Sequence, residues 1–265
     1  MDNLKTLRFE LLPPSALQEA VSNPGLIFLP VGSMEWHGPH MAMGMDTCNA
    51  YESSLRTAEV TGGVVFPPLY IGTETPRSAD TLKKLGFTGD EKITGMDFPA
   101  NSLKSMYWPP ALFEQILRCQ LVMLCEMGFQ RIVVMNGHGA DEQIRILHAL
   151  AKEVEKEYSV KILVIMALFE ECGYGIGHAG LVETAIMTAI CPEAVDLSAL
   201  PPRSEKLRVT DYGIADSETF EKGPNEDFTV RYDPRDATAQ IGEAVLSTTV
   251  EQSVRLIRDY FSVEF

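Results

Sequence analysis

The 265-residue sequence has no apolar run approaching the ~20 residues that a membrane-spanning helix needs. Its opening, MDNLKTLRFELL, lacks the basic start and apolar stretch of a secretory signal, so no signal peptide is expected. Cysteine is sparse and odd in number: five residues, at 48, 119, 125, 172 and 191, with no CxxC pair. A disulfide framework is therefore not expected; reduced thiols in the cytoplasm are, with Cys119 and Cys125 packed into a helical core. Positive charge is also short, with 22 Lys and Arg against 37 Asp and Glu and a net charge of −15. Such a chain lacks the basic face that nucleic-acid phosphates and anionic membranes demand. No linker composition divides the chain, so residues 1–265 are read as one domain.

What is present is a set of short aliphatic runs alternating with amphipathic stretches. Strands are expected at about 26–31, 63–66, 131–135 and 160–168, each bounded by Gly, Pro or polar residues. PPALFEQILRCQLVMLCEMG reads as a helix with Leu112, Ile116, Met123, Leu124 and Met127 close to one face and Gly128 at its end. DEQIRILHALAKEVEKEY repeats the pattern with Ile144, Leu147, Leu150, Ala151 and Val154. Further helices are expected through LVETAIMTAI and from ATAQIGEAVL to the end. The alternation implies an α/β fold, a mostly parallel sheet flanked by helices, with sites at the carboxyl ends of the strands. Residues 72–110 and 200–236 fit no αβ unit and are long for passive loops, so they are expected to cover a site or build an interface.

Histidine is scarce as well, and its placement carries the chemistry. GSMEWHGPHMAMGMDT, residues 32–47, holds two of the five histidines with Glu35 and Asp46, directly after an apolar strand. Glu35 and His37 are two apart, so extended backbone points both to one side and Trp36 to the other. Desolvating these charges is costly unless something pairs with them, and mixed His and carboxylate groups are metal ligands. In RIVVMNGHGADEQ, His138 stands between two glycines at a second buried strand's exit, on the same sheet edge. GYGIGHAGLVETAIM admits two readings. GIGHAG (175–180) matches G-x-G-x-x-G, a dinucleotide fingerprint. Against it, the expected strand ends near Leu168, about six residues early, and no second strand ending in an acid follows. The rival takes His178 and Glu183 as site residues, because an unpaired carboxylate inside LVETAIMTAI would be expensive.

LPVGSMEWHGPHMAMGMDT, VVMNGHGA, HAGLVET and DPRDATAQIGEAVL, with PEAVDL after the third, resemble the signature blocks of the creatininase family of metal-dependent amidohydrolases. They occur in the family's order over about residues 8–260. The resemblance implies a single creatininase-like α/β sandwich and two divalent ions (Zn, Mn or Fe) per subunit. Glu35, His37, Asp46 and His138 fall on the metal ligands, Asp46 on the bridging carboxylate, and Glu183 on a further ligand position. His178 falls on a proton-moving histidine, so His178 and Glu183 are the catalytic candidates. His40 matches a motif histidine that orients the ligands; His148 matches nothing and is read as packing or surface. The resemblance also implies a homo-oligomer, such as a hexamer, and a small-molecule substrate.

Three departures stand out. Gly139 and Ala140 follow His138 where creatininase proper has tyrosine and glutamate, which counts against creatinine and throws more of the second metal onto Glu183. About twenty extra residues lie between Gly72 and FPANS, and Met41-Ala42 replace a Leu-Pro. The expected activity is hydrolysis of a non-peptide C–N bond, in a cyclic amide or formamide, by a metal-activated water. The alternatives are a carbonyl-containing sugar derivative at the same dinuclear site, an NAD-dependent oxidoreductase using GIGHAG, and an idle member retained for assembly.

Overall fold

The run LIFLPVG forms β1 (Leu26–Gly32), buried at every position. The computed structural model describes residues 6–209, 214–216, 230 and 232–264. After β1 come β2 (Val64–Val65), β3 (Leu69–Tyr70), β4 (Arg131–Asn136), β5 (Lys161–Met166), β6 (Gly177–His178) and β7 (Ala215–Asp216). The helices are α1 (Pro14–Ser22), α2 (Met45–Thr61), α3 (Ala79–Lys84), α4 (Pro110–Met127), α5 (Asp141–Tyr158), α6 (Leu181–Ile190) and α7 (Ala239–Phe261). Strands β1 to β5 make one parallel sheet, with β4 on one side of β1 and β5 beyond it. On the other side β2 pairs with Ile27 and Phe28, and β3 with Val31 and Gly32, so the two short strands form one interrupted edge. The strand expected at 63–66 is β2, and β3 is an additional, unforeseen strand beyond Pro67 and Pro68, whose missing N–H groups cannot join a ladder.

Alternate residues of β1 feed opposite cores, as a strand covered on both faces requires. Ile27, Leu29 and Val31 join Ile132 and Val134 against α4 and α5. Leu26 and Phe28 join Val133 and Met135 against Ala50 and Ala58 of α2 and Ile257 and Phe261 of α7. The chain leaves β1 toward β2 through α2 and returns to β4 through α4, on the other face. The order therefore reverses between β1 and β4, and the crevice at their carboxyl ends is the natural place for a site. A further cluster unites α6, α7 and Met45 of α2 beyond the sheet.

Three expectations about the helices need correction. In α4 the buried residues are Phe113, Leu117, Leu121 and Leu124; Leu112, Met123 and Met127 are 40%, 52% and 47% exposed. The helix has two apolar rows at helical spacing, and spacing cannot say which one meets the sheet. Cys119 lies on the outer row and is exposed, not core, while Cys125 is half-buried. In α5, Gln143 and Ile146 are buried and Ile144 only partly so. Helix α2 was not foreseen at all, because its buried face is small and polar: Thr47, Ser53, Ser54, Thr57 and Thr61. The hydroxyls of Ser54, Thr57 and Thr61 each donate to the carbonyl four residues back, at 2.7, 2.6 and 3.0 Å, which removes the cost of burying them.

The segment 72–110 builds a small core of its own from Leu82, Leu85, Ile93, Met96 and Phe98, joined by Val209. Most of 210–231 lies outside the described residues, so the expectation for 200–236 has no structural counterpart over that stretch. Among the described residues no helix is long and apolar enough to cross a membrane. The two rows of α4 make a direct stability contrast. Leu117→Ala should destabilise the chain by about 2–5 kcal/mol, and Met123→Ala by less than about 0.5 kcal/mol, as read from urea unfolding midpoints.

Candidate metal centre

The site begins where β1 and β4 end and the first turn of α2 descends between them. Gly32 and Gly137 permit that approach. A Cβ on Gly32 would lie 2.6 Å from the Thr47 nitrogen, and one on Gly137 would lie 1.9 Å from the Asp46 carbonyl oxygen. Any side chain at either position would push α2 away. Asp46, in that first turn, therefore sits between the segments carrying Glu35 and His37 and the one carrying His138.

The two oxygens of Asp46 face different histidines: Oδ1 is 3.1 Å from His37 Nε2, and Oδ2 is 3.0 Å from His138 Nδ1. Glu35 Oε2 approaches His138 Nδ1 at 3.2 Å, and Glu183 Oε2 approaches His37 Nε2 at 3.7 Å. Two ligand triads result, Glu35/Asp46/His138 and His37/Asp46/Glu183, each with three ligand atoms close enough to hold one ion, and Asp46 belongs to both. His178 forms a third group with Glu35 and His37. Its ring lies 4.3 Å from that of His37, its Nδ1 is 3.7 Å from Glu35 Oε2, and its Nε2–H donates to the Trp36 carbonyl at 2.5 Å. All the site residues expected from sequence thus converge. His40 does not enter these groups; it bonds Thr184 at 3.0 Å, beside Glu183. His148 is exposed on α5.

Local structure fixes how each group points. His37 Nδ1–H donates to the Glu35 carbonyl at 2.9 Å, which turns Nε2 toward the site. Glu183, in the first turn of α6, accepts from the Ala179 N–H at 2.5 Å, so its carboxylate folds back toward β6. Asn136 Nδ2–H donates to the His138 carbonyl at 2.7 Å, and Gln143 Nε2–H donates to Asn136 Oδ1 at 2.8 Å. Sequence reasoning passed over Asn136 and Gln143, and also Ser33, which donates to Asp46 Oδ2 at 2.5 Å. It passed over Tyr107 as well, whose hydroxyl donates to Glu35 Oε1. Ser33 lay inside the motif and was findable; Tyr107 lies 72 residues from its partner with no motif around it.

Burial dominates the electrostatics and the charges answer it. Burial would raise the Glu35 carboxyl, but His138 overrides it and brings it down to about 2. Burial would lower His37, yet the Asp46 carboxylate raises it to about 10. His138 rises well above its usual value through Glu35 and Asp46. His178 follows burial and falls to about 4, so it is neutral at pH 7; burial lifts Glu183 to about 7. Three carboxylates thus crowd against two imidazoles in a largely buried space, an excess of negative charge that a divalent cation would neutralise. The donor set is nitrogen and oxygen without sulfur, which suits Zn, Mn or Fe.

The centre opens into a cavity of about 580 Å³. Glu74, Arg77 and Ser78 of the 72–110 segment form its outer wall, so that segment does border the site. GIGHAG does not open at the end of a parallel strand: β5 stops at Met166 and a 3-10 turn, Glu170–Cys172, intervenes. Gly177 and His178 instead pair antiparallel with β7 in a separate two-stranded sheet. That is not the strand–turn–helix of a dinucleotide site.

The family model described as Creatininase, creatinine amidohydrolase, matches residues 12–257. The chain belongs to the creatininase family. Creatinine amidohydrolase of Pseudomonas putida is similar to it, 25% identical over 259 residues, 89% of this chain and 90% of that protein. Two solved creatininases have the same fold, one described as a mutant of Zn-Zn type and one as a Mn form. Their TM-score is 0.66 in both cases, at 22% and 21% identity, over 96% of this chain and 98% of theirs.

For this creatininase-family hydrolase the His37–Asp46 pair has a measurable signature without metal. His37 moves from 6.5 to about 10 on folding, so the folded chain holds an extra proton between those values. The stability this pair contributes is complete below about pH 6.5 and is lost as pH rises through about 10. Chelator-treated protein should show a urea midpoint that falls from pH 7 to pH 10, and falls less in His37→Gln. Equal slopes in the two proteins would contradict the pairing.

Proposed function

We propose that the chain hydrolyses a non-peptide C–N bond in a small molecule, a cyclic amide or a formamide, with two divalent ions (Zn, Mn or Fe) per subunit. Glu35, Asp46 and His138 would hold one ion, and His37, Asp46 and Glu183 the other, with Asp46 bridging. The observation that carries this is the division of labour at Asp46, whose Oδ1 and Oδ2 face His37 and His138 separately. Family membership and the names of solved relatives in Zn-Zn and Mn forms support it. Ions so placed would polarise a carbonyl oxygen and bring a water's pKa toward neutrality.

The chain's own groups then complete the reaction. His178 is neutral at pH 7 and anchored through Nε2–H, so its Nδ1 can accept a proton at the Glu35 side of the cavity and pass it to the departing nitrogen. Glu183 would act beside it as an ion ligand, held by the Ala179 N–H that it accepts from at 2.5 Å. Gly139 and Ala140 line the cavity beside His138 where creatininase proper has a tyrosine and a glutamate, which favours a substrate other than creatinine. The reading includes a cytoplasmic homo-oligomer, supported by free cysteines and by the family resemblance.

Metal analysis followed by a screen of lactams, formamides, hydantoins and sugar-derived amides tests the reading. Asp46→Asn should lose activity and lower occupancy at both positions, because a neutral amide bridges poorly; full activity with normal metal content would sink the dinuclear assignment. His178→Ala should keep the metal and the fold while kcat falls roughly 10²–10⁴-fold, and the pH profile should lose a limb. A nucleotide-binding loop would respond the other way, with His178→Ala harmless and Gly177→Ala damaging.

A further inference from the structure

Residues 105–108 run beside the Glu35 segment and are tied to it on both sides of Glu35. The Met106 N–H donates to the Met34 carbonyl at 2.8 Å, and the Trp36 N–H donates to Ser105 Oγ at 3.0 Å. Tyr107 is thereby held opposite Glu35. Its backbone is fixed from the other direction too: it bridges to Gly72, the Trp108 N–H donates to the Gly72 carbonyl at 2.7 Å, and Thr73 Oγ1–H donates to the Trp108 carbonyl at 2.7 Å.

The hydroxyl of Tyr107 has a defined direction. It accepts from the Met96 N–H at 3.1 Å, and its single proton goes to Glu35 Oε1. That engages one oxygen of Glu35 and leaves Oε2 facing His138 and His178. The Tyr107 ring also stacks on the His138 ring, at 6.0 Å between centroids and 30° between planes. Tyr107 therefore meets two members of one triad, Glu35 and His138, while among the described residues no hydrogen bond or ring contact links it to His37 or Glu183.

We propose that Tyr107 is a positioning residue that orients Glu35 and His138, and so strengthens ion binding at the Glu35/Asp46/His138 position selectively. The inference rests on the two-ion reading above. It ties the segment 72–110 to the metal centre, since the Met96 N–H that orients the hydroxyl belongs to that segment's own core. Partners of metal ligands are typically worth about 10–100-fold in metal affinity.

The test is a zinc titration of the metal-free full chain against a chromophoric chelator, with wild type and Tyr107→Phe side by side. Wild type should take up two ions. Tyr107→Phe should bind one with unchanged affinity and the other about 10–100-fold more weakly, and in the cobalt-loaded protein only one of the two sets of visible bands should shift. Gly95→Ala is the second variant. It keeps the hydroxyl but places a methyl 2.4 Å from it, at a residue with φ of +52°, and should give the same selective loss should Tyr107→Phe fail to fold. Unchanged affinities, or an equal drop in both, overturn the proposal. Wild type that takes up fewer than two ions overturns the two-ion reading and this inference with it, an outcome distinct from failure in the variants alone.

Discussion

Asp46 is 2% exposed, and each of its carboxylate oxygens is committed to a different histidine. A buried carboxylate is tolerable only when paired and hydrogen-bonded, and breaking such an arrangement leaves an uncompensated charge. The surrounding structure supplies that pairing: Ser33 donates to Oδ2, and the first turn of α2 places the carboxylate at the positive end of the helix. His37 and His138 come from the two strands between which the sheet order reverses. The convergence of three chain segments on one carboxylate is what the fold has to achieve.

Much of the architecture near the site follows from that requirement. Gly32 and Gly137 stand where α2 passes closest to the strand ends. Helix α2 carries Ser, Thr and Ala on its buried face, because bulky side chains would lift it off the sheet and carry Asp46 away. Asn49 Nδ2–H donates to the Ala167 carbonyl at 2.8 Å, pinning the helix one turn further along. The apolar energy that offsets this polar burial comes from elsewhere. It comes from the α4 and α5 side, where Phe113, Leu117, Leu121 and Leu150 pack under β1 and β4, and from the α6 and α7 contact. The site side of the molecule is specified by hydrogen bonds and close approach, the opposite side by hydrophobic packing.

That division explains what could be read from the sequence. Strands β1, β2, β4 and β5 were legible because aliphatic runs between breakers have few other uses, unlike the two-residue β3, β6 and β7; α5 and α7 were legible because their apolar rows are single. Helix α4 was legible as a helix but not in its orientation, since two rows compete. Helix α2, which delivers Asp46, was invisible to hydrophobic periodicity because its buried face is made of hydroxyls bonded to their own backbone. The candidate residues emerged from motifs, where acids and histidines sit at strand exits. Their supports did not: Asn136 and Gln143 look like ordinary turn and helix residues, and Tyr107 depends on a contact across 72 positions. Charged groups in apolar context announce themselves, whereas neutral donors that orient them do not.

Under the proposed function one carboxylate, that of Asp46, is shared by two ions in a site built from nitrogen and oxygen alone. X-ray absorption at the zinc edge of the zinc-loaded chain measures that directly. The account predicts a first shell of N and O at about 2.0–2.2 Å, and a metal–metal vector at about 3.5–4 Å. A sulfur shell near ~2.3 Å, or two equivalents of zinc with no metal–metal vector, would contradict it.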